Sequence, residues 1–198
     1  MSTDQTLAFV LFALAAAITP GPSNLVLAAT GAKVGIVRGL PALAGVAAGM
    51  AALMATVALG LGTLVTANPV VMLALKTAGI AFILWLAWQI ATARHGATIT
   101  AGASVGFWQA AVFQWANPKA WLVTASAAAT FLPANSDSVI LPALHLGALF
   151  AAVAAPSALV WLLFGATLQR LLATDRAWRQ FNLAMALLLA GSVVLFLV

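Results

Sequence analysis

Thr19-Pro20-Gly21-Pro22-Ser23-Asn24 stands inside an apolar run that extends from about residue 5 to about residue 31. Two prolines flanking a glycine cannot form an ordinary helix interior. Each proline lacks the N–H that a helix needs and crowds the preceding turn, and Gly21 adds backbone freedom. Yet the run exceeds the roughly 20 apolar residues that carry a helix across a bilayer. The stretch therefore predicts a membrane helix interrupted part-way and restarting at Pro22, because proline is favoured at the first helical position. An interruption at membrane depth frees backbone groups that lipid cannot satisfy, so it belongs against protein or a wet cavity. The restarted helix offers N–H groups and a positive dipole end near Ser23 and Asn24. A proline kink that only shapes packing is the alternative.

The whole chain fits a lipid solvent. Of 198 residues, 65% are hydrophobic and 6% charged, against roughly 25% charged in soluble domains. Six apolar segments, at about 5–31, 39–66, 69–92, 104–132, 139–168 and 177–198, are each long enough to span as helices. The amino-terminal Met1-Ser2-Thr3-Asp4-Gln5 lacks the Lys/Arg cluster of a signal peptide, so the first segment reads as a permanent span. With no cysteine, no glutamate, three aspartates and two histidines, the chain has no thiolate, cluster or metal ligand set and no nucleophile–base pair. An enzyme, a cofactor and a bound metal are not expected. The formal charge of +5 comes from basic residues scattered singly, which is no nucleic-acid footprint.

Those basic residues orient the spans. Lys33 and Arg38 follow span 1, Arg94 follows span 3, and Arg170, Arg176 and Arg179 follow span 5, with Asp175 among them. The connections after spans 2 and 4 carry no Lys or Arg, and Asp137 lies in the second. The positive-inside rule makes the basic side cytoplasmic and puts both termini outside, in a bacterial inner membrane.

The chain also repeats itself. Leu40-Pro41-Ala42-Leu43 opens span 2 and Leu141-Pro142-Ala143-Leu144 opens span 5. Span 4 carries Ala116-Asn117-Pro118-Lys119-Ala120-Trp121 where span 1 carries its proline break. Three spans per half, an odd number, force the halves into opposite topology. The expected fold is thus an all-α integral membrane protein. Its single transporter domain covers 1–198, with six transmembrane helices as two inverted three-helix repeats, about 1–99 and 100–198, and spans 1 and 4 broken at proline near the midplane.

Lys119 is the residue that most needs an explanation. It sits deep in span 4, on the first turn of a half-helix capped by Asn117 and begun by Pro118. Asp4, Asp137 and Asp175 all fall in terminal or loop positions, so no acid in a span is available to it. A substrate carboxylate would meet the lysine and two positive helix ends together. Snorkelling to an interface, or bonding to backbone carbonyls, is the alternative.

Thr19-Pro20-Gly21-Pro22-Ser23-Asn24, with Gly31-Ala32-Lys33-Val34-Gly35 and Arg38-Gly39-Leu40, resembles the signature of the LysE/RhtB family of amino-acid exporters, the LysE-type translocators. Asn117-Pro118-Lys119-Ala120-Trp121 resembles its second signature. The likeness covers essentially the whole chain, and Ser23 stands where that family usually has Asn. The resemblance implies secondary active efflux of amino acids or close derivatives, driven by the proton motive force.

Substrate-binding candidates are accordingly Thr19, Pro20, Gly21, Pro22, Ser23, Asn24, Asn117, Pro118, Lys119 and Trp121. Lys119 and His145 are the candidates for proton coupling, although an interfacial, hydrogen-bonded histidine is the plainer reading of His145. Neutral substrates are favoured, because the spans hold no acid for a cationic side chain. Expected partners are the amino acid, protons and lipid, with room for a homo-oligomer. Gly45 and Gly49 form a small-residue face for close helix packing. Two other functions share parts of the pattern. A small cation exporter of a distantly related family would need ligands that the spans lack, and a structural membrane subunit would have no reason for two breaks.

The topology is directly testable, because the natural chain has no cysteine. A cysteine introduced at Ala97 is expected to react with impermeant maleimide only from the cytoplasmic face, and one at Ser136 only from outside. The reverse pattern would overturn the orientation.

Overall fold

A computed structural model describes residues 1–60, 68–92, 105–132, 139–171, 174–191 and 193, and among them there is no strand. Their helices are α1 (Thr3–Ile18), α2 (Pro22–Ala58), α3 (Pro69–Ala91), α4 (Phe107–Trp115), α5 (Pro118–Phe131), α6 (Ile140–Leu171) and α7 (Asp175–Gly191). Pro22–Ala58 and Ile140–Leu168 are long and apolar enough to cross a membrane. Arg94 and Asp137, like Ala97 and Ser136, lie outside the described residues, as do the side chains of Lys76 and Arg170.

Helix ends follow local chemistry. Ser2 caps α1 reciprocally with Gln5: the Gln5 N–H donates to Ser2 Oγ at 3.2 Å and the Ser2 N–H to Gln5 Oε1 at 2.9 Å. Pro22, Pro69 and Pro118 are the first residues of α2, α3 and α5, where a missing N–H costs nothing. Asn68 and Asn117 cap the latter two with side-chain oxygens.

One expectation is corrected. Lys33 and Arg38, read as standing in a loop after span 1, lie within helix α2. Helix runs on both sides of Gly35, which alone inside α2 leaves helical geometry, at φ 76° and ψ −176°. A positive φ suits glycine, which has no Cβ to clash, so the chain changes direction at a single residue. Segments 22–34 and 36–58 then pack separately.

The core is built on α2 and α6, which run antiparallel in contact along their lengths. A Cβ on Gly31 would lie 2.1 Å from the Leu162 carbonyl oxygen, one on Gly165 1.8 Å from that of Ala28, and one on Gly147 2.8 Å from that of Ala51. Backbones approach this closely only where side chains are absent, the usual device for helix association in lipid. Gly45 and Gly49 do the same against α4, at Phe107 and Ala111, as the small-residue face predicts. The remaining contacts are reciprocal. Phe9 of α1 meets Phe150 in the first half of α6 at 6.4 Å between ring centroids, and α4 meets the first half of segment 36–58. Met50, Leu53 and Met54 cluster with Ala120 and Ala127 of α5. Helices α3 and α7 flank the rest, packing on Leu25, Val26, Ala29 and Phe113. Outward faces are apolar at helical spacing, as at Leu7, Leu11, Leu14 and Ile18 of α1, which suits lipid rather than water.

Gly165→Ala is expected to cost about 1–3 kcal/mol through overpacking against Ala28. Gly191→Ala, with no neighbour within 4 Å, serves as the control. Thermal unfolding in detergent should show a lowered midpoint for Gly165→Ala alone; equal midpoints would mean that the two backbones are not in contact.

Candidate functional site

The chain leaves the helix at 19–21 and again at 116–117, and the two interruptions lie side by side. At the first, Pro20 and Pro22 cannot donate to carbonyls of the preceding turn. Other groups take over. Asn24 Nδ2 donates to the carbonyls of Ala17 at 2.9 Å and Thr19 at 2.8 Å. Trp161 Nε1, from α6, donates to Ile18 at 3.2 Å. Lys119 Nζ, from α5, donates to Thr19 at 2.5 Å. The lysine can lie across the break because residue 21 is glycine: a Cβ there would come within 2.8 Å of Lys119 Cδ.

A second set of bonds ties the interruptions through side chains. Asn117 Nδ2 donates to Ser23 Oγ at 2.8 Å, and Ser23 Oγ donates to Gln114 Oε1 at 2.8 Å. Gln114 Nε2 is anchored on the Ala110 carbonyl within its own helix, at 2.9 Å. Asn24, Gln114 and Asn117 are buried, and a buried polar side chain is stable only when paired in this way.

The two helix starts differ. At α5, Asn117 Oδ1 accepts the Lys119 N–H at 3.1 Å, so the cap has consumed a donor expected to face a ligand. At α2, the N-terminal cap position is Gly21, which has no side chain. Among the described residues no acceptor meets the N–H groups of Ser23 or Asn24. The free positive end is therefore that of α2.

Between the breaks lies a cavity with two kinds of wall. Gly21, Ser23, Asn24, Gln114, Asn117 and Lys119 form the polar one; Val46, Met50, Val123, Phe150 and Ala154 are among the apolar ones. No acidic residue is found in this lining. A carboxylate could thus be held by an ammonium and backbone N–H groups, beside an apolar space for an uncharged substituent.

The sequence-derived residues divide accordingly. Gly21, Ser23, Asn24, Asn117 and Lys119 line the cavity. Thr19, Pro20, Pro22 and Pro118 shape the breaks beside it. Trp121 is not in the lining; its Nε1 donates to the Trp115 carbonyl at 2.8 Å and fixes the second break. His145 is elsewhere, exposed on α6 beside Met1, Phe131 and Leu141. Gln114, Met50 and Phe150 were not singled out from the sequence. A carboxamide inside an apolar span was the available signal for Gln114; nothing local marks the other two.

The LysE type translocator family model matches residues 14–198. The chain is 36% identical over 188 residues to the cysteine/O-acetylserine efflux protein of Klebsiella pneumoniae, with 94% of each chain covered. It is 31% identical over 187 residues to the protein of that name from Salmonella typhimurium and 30% identical over 187 to that from Escherichia coli K12, again with 94% of each chain covered. No solved structure matches the chain.

The Ser23–Gln114 bond crosses from one interruption to the other, so the two residues should be energetically coupled. Gln114→Leu and Ser23→Ala are each expected to cost about 1–3 kcal/mol, by leaving a buried partner unpaired. The double variant should cost less than their sum by at least about 0.5 kcal/mol. Strict additivity in thermal or denaturant unfolding would show that the bond does not form.

Proposed function

The chain belongs to the LysE type translocator family, and from that premise we propose that it exports small amino acids with uncharged side chains, of the cysteine and O-acetylserine class, driven by the proton motive force. The observation that carries this reading is the cavity at the paired helix interruptions, with a cationic, donor-rich wall facing an apolar one. The substrate carboxylate docks at Lys119 and at the free N–H groups that begin α2. The uncharged side chain lies toward Met50 and Phe150. A lining without an acid disfavours lysine or arginine as cargo. The names of the similar efflux proteins fit that chemistry, since cysteine and O-acetylserine carry small, neutral side chains.

Lys119 is also the titratable group of the cavity and our candidate for proton coupling. His145 lies apart from it, so any part that His145 plays would be at the surface. Thr19, Pro20, Pro22, Pro118 and Trp121 hold the breaks open, and Ser23, Asn24 and Asn117 border the ligand.

We read the architecture as six spans in two inverted halves, with both termini outside the inner membrane and the breaks near the midplane. The reciprocal packing supports this. The first half of α6 meets α1 as the first half of segment 36–58 meets α4; the second half of each meets the post-break half-helix of the opposite repeat. An inverted pair of three-helix units gives two-sided access by rocking one bundle against the other around a fixed site.

Proteoliposomes test the reading. With a proton gradient imposed, cysteine and O-acetylserine are expected to move and arginine is not. Lys119→Met should lower apparent substrate affinity roughly 10- to 100-fold, the worth of about 1.5–3 kcal/mol for a hydrogen bond to a charged group. Arginine transported as well as cysteine, or flux indifferent to the gradient, would refute it.

A further inference from the structure

The end of α1 has one loose thread. In an unbroken helix the carbonyls of Ala16, Ala17, Ile18 and Thr19 would accept from residues 20, 21, 22 and 23. Residues 20 and 22 are prolines and have no N–H to give. Substitute donors reach three of the four: Asn24 serves Ala17 and Thr19, Trp161 serves Ile18, and Lys119 also serves Thr19. Among the described residues no donor reaches the carbonyl of Ala16. Yet Ala16 is half-buried and lines the same cavity as Lys119. A carbonyl left unpaired away from water is costly, and this one sits at the negative end of the α1 dipole.

We propose that the Ala16 carbonyl oxygen accepts the ammonium group of a zwitterionic substrate. The inference rests on the reading that Lys119 takes the carboxylate, and deepens it into a site with two ends. The interruption turns α1 and α2 end to end, so the negative pole of one helix and the positive pole of the other open into one cavity. An α-amino acid carries the opposite pair of charges. Recognition then requires both groups on one molecule, which selects zwitterions over simple carboxylates and simple amines. Pro20 is a positioning residue here: it does not touch the ligand, but its missing N–H leaves the Ala16 oxygen for it.

The test uses the full chain in lipid nanodiscs and two probes, L-cysteine and 3-mercaptopropionate, which is the same skeleton without the amine. Thr19, which precedes the proline, is extended at ψ 130°; Pro20→Ala removes the clash that disfavours helical geometry at Thr19 and supplies an N–H that can then occupy the Ala16 oxygen. Calorimetry should show cysteine affinity falling about tenfold or more, with 3-mercaptopropionate changed less than about twofold. An ester in place of the Ala16–Ala17 amide keeps Pro20 and weakens the same oxygen as an acceptor, and should give a milder loss in the same direction. It decides the matter if Pro20→Ala does not fold. Equal effects on both probes, or none on either, would overturn the ammonium site. Lys119→Met separates the two readings, because it should weaken both probes. If it weakens neither, the carboxylate reading fails whatever Ala16 does, and if wild-type protein binds neither probe, both readings fall.

Discussion

A proline inside a helix leaves a carbonyl without its donor, and in lipid no water can replace that donor. This constraint organises the centre of the molecule. At the first break the carbonyls of Ala17, Ile18 and Thr19 draw partners from three other elements: Asn24 of α2, Trp161 of α6 and Lys119 of α5. The first break is thus a junction at which separate helices are pinned to one another by the backbone groups it exposes. The same junction borders the cavity at which we propose that a ligand is recognised, because its backbone groups carry fixed partial charges that need no reorganisation when a charged molecule arrives.

Close packing around the junction makes the pinning possible. Glycines at 31, 147 and 165 bring α2 and α6 to backbone contact, and those at 45 and 49 bring α4 onto α2. With the four helical segments so near, short side chains can bridge them. Ser23 reaches both Gln114 and Asn117. Its hydroxyl donates to one and accepts from the other, so a small residue closes a chain of bonds between the interruptions. Lys119 is held rather than loose. Its ammonium already has the Thr19 carbonyl as a partner, which answers in part how a cation tolerates this position without an acid nearby. The backbone-carbonyl alternative for Lys119 and its place in the cavity lining are therefore two aspects of one arrangement.

The sequence by itself determined the all-helical membrane class, through unbroken apolar runs and scarce charge, and the family, through the two proline motifs. The two proline motifs fall where α1 gives way to α2 and α4 to α5, because proline and glycine act on the chain locally and need no tertiary context. The sequence also picked out five of the residues that line the cavity, since four polar groups in apolar spans and a glycine between two prolines are conspicuous. Tertiary structure decided what depends on which helices meet. It showed Lys33 and Arg38 flanking a one-residue turn at Gly35 rather than standing in a loop. It sent Trp121 to the Trp115 carbonyl and His145 to the surface. It brought Gln114, Met50 and Phe150 to the cavity. It left the α2 start free while Asn117 capped the α5 start. The bonds that join the two breaks and the cavity lining could not be read along the chain, because contacts between residues some ninety positions apart follow from helix packing, and packing depends on which faces carry glycine and which carry bulk.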